Sequence, residues 1–354
     1  MEKQFRIAVL DGWRALSVLC VIMGHLIMQY NLRLPFSFNP FKHLGIVGVY
    51  IFFFISGYII SRNLIIEYQC KGTISIAAFF VRRIFRIIPP FVVYILGLLL
   101  IVRSGLVFSQ FDCIKNFPLF FISDINNGPR VMCGWYLAHL WTLITEEQFY
   151  IIFPFIFRLV ARWRASVFFA ILYIAIILLI FLLHKTGYVG WAKTLALAMP
   201  IILGVTVANN ELLLQKYLKK IKSWAFYMIL IITLVLYLLP QELYYFPRLI
   251  FIAFPLTALL VVYTIQYDFG FSAFLSRTPI LLLIGRVSYG MYLWQQVFTY
   301  HYSLSVLGYC LLVVSFIGIV LLSYHFVEKP LIAVGRSFSH KILNGNIGTQ
   351  SKVA

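Results

Sequence analysis

Charge is what this chain has least of, and acidic charge is the scarcest kind. Only 11% of its 354 residues are charged while 62% are hydrophobic, which leaves more apolar surface than a water-soluble domain of this size can bury. A soluble fold is excluded, and the mean hydropathy of +0.94 points to an integral membrane protein. Cysteine is sparse as well. The five cysteines, at 20, 70, 113, 133 and 310, form no CxxC pair, and no His/Cys cluster has metal-ligand spacing, so no metal site is expected. No repeat at a period of roughly 20–50 residues stands out, which removes a solenoid.

What the chain has instead is apolar runs. Ten segments fit the hydropathy, at 7–29, 44–61, 88–102, 135–157, 166–184, 194–210, 224–240, 249–265, 279–299 and 303–326, most near the ~20 residues a span requires. The expected fold is an all-α polytopic membrane bundle of about ten transmembrane helices with both termini cytoplasmic. The net charge of +18 would suit nucleic acid, but that topology puts 19 Lys and Arg inside and 8 outside, with Arg14 and Arg286 within spans. The positive-inside rule accounts for the charge, and a nucleic-acid partner is not needed. The opening MEKQFRIAVLDGW shows no small-x-small cleavage site after its first apolar run, so that run is expected to be a retained span.

Residues 1–335 read as one transmembrane domain and 336–354 as a polar, disordered cytoplasmic tail. Between Arg62 and Pro90, TISIAAFFVRRIFRIIPP is too interrupted by arginine to span; it reads as an interfacial amphipathic helix stopped by Pro89 and Pro90. The loop at about 103–134 falls outside in this topology, where Cys113 and Cys133 either pair or stay thiols.

Ionisable residues inside spans mark functional sites by default, because a charge in hydrocarbon costs several kcal/mol. The first span carries Asp11, Arg14 and His25. Arg14 and His25 are 11 residues apart, which returns them to within about 20° of one face but about 16 Å apart along the axis. They share a stripe and serve different parts of one site, or else Arg14 simply pairs with Asp11, one turn before it, and His25 reaches the outer interface. The fourth span holds Glu146 and Glu147 near mid-depth; neighbours point about 100° apart on a helix, so the two carboxylates are expected to do different work. Trp141 either walls the same cavity or belongs to the outer aromatic belt. Arg82, Arg83 and Arg86 are either positive-inside anchors or a clamp for the phosphates of an anionic cofactor such as coenzyme A. Arg286 and Glu328 are placed to form an ion pair or to take a catalytic part.

Together these residues resemble the acyltransferase-3 family of polytopic membrane O-acyltransferases. LDGWRALSVLCVIMGH is similar to the family's opening motif and GVYIFFFISGYIISR to its second-span motif. RRIFRIIPP resembles its basic interfacial motif, LWTLITEEQFYIIFP its Trp/Glu-Glu-Gln motif, and GRVSYGMYLWQQ with FVEKP its closing signatures. The resemblance covers residues 10–330 in the family's order.

It implies transfer of an acyl group, commonly acetyl, from cytoplasmic acyl-CoA to a hydroxyl of a glycan or lipid-linked sugar at the bacterial inner membrane. Succinyl-CoA is the alternative donor. By analogy His25 is catalytic, Arg14 and Glu147 support it, and Arg82, Arg83 and Arg86 meet the CoA phosphates. Many members have a histidine after the YLW, where this chain has Gln295 and Gln296, and the expectation is a membrane-only member without a fused esterase-like domain. His25 is expected to act as general base or as acyl carrier. A transporter or flippase for an anionic sugar or lipid is the rival class, but no inverted repeat supports it.

Overall fold

The computed structural model describes residues 8–30, 44–104, 135–161, 165–186, 189–238 and 248–350. Among these every regular element is helical. The helices are α1 (Ala8–Gln29), α2 (Leu44–Lys71), α3 (Ile76–Arg103), α4 (Trp141–Val160), α5 (Ala165–Lys185), α6 (Val189–Asn209), α7 (Glu211–Leu218), α8 (Ser223–Leu238), α9 (Arg248–Gln266), α10 (Gly270–Arg277), α11 (Pro279–Phe298), α12 (Val306–Leu322) and α13 (Lys329–Gln350). A 3₁₀ turn, Trp135–Leu140, leads into α4, and a π-helical turn, Ser323–Glu328, joins α12 to α13.

Among the described residues five helices are long and apolar enough to cross a membrane: α1, α2, α3, α5 and the continuous run Val306–Asn344. Counting two bent pairs as single spans, α7 with α8 (111°) and α9 with α10 (77°), brings the number to seven. This is a multi-pass helical membrane protein, and fewer helices meet that test than the ten segments read from hydropathy. The difference includes α4 and α11, which carry many of the polar residues.

The chain divides into two compact units, Met1–Ile66 with Arg162–Ser288, and Glu67–Ala161 with Tyr289–Ala354, where the sequence suggested one domain. In the first unit α1 packs on α9 and α10, and α5 on α6. The core is aliphatic and aromatic: Leu10, Trp13, Tyr50, Phe54, Tyr58, Phe226, Phe254 and Tyr263 are all buried. Glycines set the closest approaches. A Cβ on Gly24 would meet the backbone of Gly45, one on Gly48 the carbonyl of Ser17, and one on Gly57 the carbonyl of Ile201. Small residues of this kind drive helix association in membranes, where van der Waals packing replaces the hydrophobic effect.

In the second unit α3 packs along α13. Gly72, at φ +68°, makes the turn between α2 and α3, and Ser75 caps α3 by accepting from the Ala78 amide at 3.2 Å. One expectation fails here. The helix does not stop at Pro89 and Pro90 but runs through both to Arg103. Each proline deprives the carbonyl four residues earlier, that of Phe85 or Arg86, of its helical donor, and Tyr289 of α11 donates to the Ile87 carbonyl next in line at 3.1 Å. Beyond 335 the described residues are helical: α13 continues to Gln350 and presents Gly335 and Ser339, both buried, to α3. The 103–134 loop with Cys113 and Cys133 lies outside the described residues, apart from Arg103 and Ser104.

Candidate active site

In the first unit α1 is unbroken, so the spacing of its polar residues translates directly into geometry. Arg14 Nη1 lies 3.3 Å from Asp11 Oδ1, an i,i+3 pair in which the Asp11 side chain is only 3% exposed. The backbone there is locked from two sides. Gly285 of α11 lies against the Asp11 carbonyl, and a Cβ on Gly12 would stand 2.5 Å from the Leu275 carbonyl oxygen. One residue on, Trp13 Nε1 donates to Thr264 Oγ1 at 2.8 Å. His25 is half-buried near the other end of the helix, about 16 Å along the axis from Arg14.

The second unit holds the remaining sequence-derived candidates. On α4, Glu146 accepts a hydrogen bond from Tyr150 one turn later, while Oε1 of Glu147 is buried with no hydrogen-bond partner. The two adjacent carboxylates differ in surroundings, as a 100° offset requires. Arg83 joins them: its Cζ stands 5.2 Å from the Tyr150 ring centre and 5.7 Å from that of Phe79, and it interacts electrostatically with both glutamates. Trp141 is half-buried at the start of α4, where its carbonyl accepts from Thr145 Oγ1 at 3.0 Å.

The three arginines meet different partners. Arg82 donates from Nη1 to Ser339 Oγ at 2.6 Å and from Nη2 to Glu67 Oε2 at 3.1 Å. Arg83 turns toward α4. Arg86 lies in the field of Glu328, a buried carboxylate on the π-helical turn whose Oε1 has no hydrogen-bond partner. A Cβ on Gly290 would come within 2.8 Å of that oxygen. Arg286 belongs to the first unit and Glu328 to the second.

The structure thus gathers Arg83, Glu146, Glu147 and Tyr150 in one unit, and Asp11, Arg14 and His25 on one helix of the other. Sequence reasoning passed over Tyr150, Glu67, Ser339 and His139. The last is buried, with its ring centre 5.3 Å from that of Tyr292 and 5.8 Å from that of Tyr94. Its position two residues before Trp141, in an otherwise apolar segment, was the available signal. Gln295 and Gln296 are fully buried on α11, where Trp135 Nε1 donates to the Gln296 carbonyl at 2.8 Å and the Tyr292 hydroxyl donates to the His139 carbonyl at 2.8 Å. Among the described residues no group of three or more His, Cys, Asp or Glu side chains could hold a metal ion.

The acyltransferase-domain family model Acyl_transf_3 matches residues 7–327. The chain belongs to this acyltransferase family. Similar curated proteins include Putative O-acetyltransferase SACOL0978 of Staphylococcus aureus strain COL, 28% identical over 376 residues that cover 93% of this chain and 58% of the relative. Putative peptidoglycan O-acetyltransferase YrhL of Bacillus subtilis strain 168 is 27% identical over 387 residues, 94% of this chain and 56% of that one. O-acetyltransferase OatA of S. aureus strain NCTC 8325 is 27% identical over 370 residues, with coverage of 91% and 56%. The chain spans about half the length of the curated relatives it matches. No solved structure matches it.

Proposed function

We propose that this acyltransferase is a membrane O-acetyltransferase that moves an acetyl group from cytoplasmic acetyl-CoA to a hydroxyl of a cell-surface or lipid-linked glycan at the bacterial inner membrane. The observation that carries the reading is the set of ionisable side chains, Asp11 buried and Arg14, Arg83, Glu146 and Glu147 half-buried, held inside apolar helices of a family member. The similar proteins named as O-acetyltransferases, one of them for peptidoglycan, support the acyl group and the acceptor class.

In the simplest scheme the sugar hydroxyl attacks the thioester carbonyl while neutral His25 takes its proton. The C–S bond then breaks, and the proton passes to the leaving thiolate. General-base help of this kind is worth about 10²–10⁴-fold. In a second scheme His25 carries the acyl group as an acyl-imidazole before the sugar accepts it. Arg14, about 16 Å away along α1, is too far from the imidazole to act on the same atom and serves the donor's path. The basic turn of α3 receives the donor phosphates, which suit guanidinium groups. Glu147 supplies a carboxylate that balances positive charge developed during transfer.

The test is transfer of radiolabelled acetyl from acetyl-CoA to a host glycan extract, in membranes holding wild type or His25→Ala. Label is expected in glycan with the wild type alone. Absence of turnover by folded wild type with acetyl-CoA, succinyl-CoA and longer acyl donors would overturn the reading in favour of a transporter. Label trapped on His25 when acceptor is withheld selects the second scheme.

A further inference from the structure

We infer that Ser339, on α13, is a positioning residue for donor binding: through Arg82 it sets the turn of α3 that carries Arg83 and Arg86, and Arg82 is a strut and not a phosphate ligand. The inference rests on the donor reading given above.

Arg82 commits both terminal nitrogens to protein acceptors, Ser339 Oγ at 2.6 Å and Glu67 Oε2 at 3.1 Å. The other oxygen of Glu67 accepts the Ser75 amide at 2.7 Å, and Ser75 in turn caps α3. One guanidinium therefore ties the end of α2, the start of α3 and the last helix together. The group is largely withdrawn from solvent: the Arg82 side chain is 20% exposed, that of Glu67 9%, and Ser339 is 2% exposed. Taking Arg82 away to bind a phosphate would strand the Glu67 carboxylate, and an uncompensated buried charge is costly. Charge-assisted bonds of this kind are the strong ones, so the strut holds.

The packing shows that α13 is built to reach this point. Gly335 lies one turn before Ser339, and Phe85 nearly one turn after Arg82. A Cβ on Gly335 would stand 2.5 Å from the Phe85 Cβ, so only glycine lets the two helices approach closely enough for the serine hydroxyl to meet the arginine. Phe338 stacks on Phe85 with ring centres 6.0 Å apart and closes the side of the contact. The helices run antiparallel through these pairs. Arg83 and Arg86, one and four residues after Arg82, inherit their direction from this fixed turn.

The experiment measures KM and kcat for acetyl-CoA, and retention of radiolabelled CoA, in membranes holding full-length wild type, Ser339→Ala, Ser339→Thr and Ser339→Cys. Ser339→Ala is expected to raise the donor KM about five- to tenfold with kcat within about twofold. Ser339→Thr, which keeps the hydroxyl, is expected to restore the wild-type KM. Should the alanine variant fail to fold, the near-isosteric cysteine, a weaker acceptor, carries the same comparison. An unchanged donor KM in a folded Ala or Cys variant, beside a wild type that turns over, would overturn the inference and leave α13 a structural staple. A wild type that neither turns over acetyl-CoA nor retains CoA would overturn the donor reading itself, and this inference with it.

Discussion

Gly285 lies against the carbonyl of Asp11 so closely that a methyl group on it would fall inside the van der Waals envelope of the oxygen. The glycine that opens GRVSYGMYLWQQ thus fixes the backbone from which Asp11 holds Arg14. Gly285→Ala is expected to destabilise the protein by about 1–3 kcal/mol, the range for overpacking, read as a lower thermal midpoint of purified protein. Gly318→Ala is the control. A Cβ there meets nothing within 4 Å, and removing a helix glycine stabilises by up to about 1 kcal/mol.

Perturbing the surroundings of the two neighbouring glutamates should have different consequences. Glu146 is held by Tyr150, so Tyr150→Phe is expected to cost about 1–2 kcal/mol of stability, seen as a loss of thermal midpoint. Glu147 has an oxygen with no hydrogen-bond partner. Glu147→Gln is therefore expected to leave the midpoint nearly unchanged while acetyl transfer falls by about 10²-fold or more. Equal effects of the two changes on stability and rate would refute the division of labour.

Arg83 stands over the rings of Tyr150 and Phe79, and a flat guanidinium suits that position where an ammonium does not. Arg83→Lys keeps the charge and is expected to lower kcat/KM for acetyl-CoA about tenfold or more. Lysine performing as well as arginine would show that charge alone is used there.

Much of this was legible in the residues. Hydropathy located most of the helices, the i,i+3 spacing of Asp11 and Arg14 appears as an ion pair at 3.3 Å, and the ordered motifs identified the family. What was hidden depended on distant partners. Pro89 and Pro90 read as a stop because local rules forbid proline inside a helix, and nothing near them in sequence reveals the long packing of α3 along α13. The tail read as disordered because it is polar. In its described part, α13, Gly335 and Ser339 meet residues about 250 positions earlier. The different partners of the arginine cluster were hidden because one-dimensional proximity conceals that Arg82 and Arg83 point about 100° apart.

A helix continuous from Val306 to Asn344 is about 58 Å long, nearly twice the roughly 30 Å of a hydrocarbon core. The π-helical turn at Ser323–Glu328 sets the phase of that rod: one residue more or fewer there would rotate everything after it by about 100° and carry Ser339 off Arg82. Deleting a single residue from the turn should act like removing the Ser339 hydroxyl, although every side chain in the contact is still present. The length of that turn is then itself a functional quantity, as exacting as the identity of any side chain it aligns.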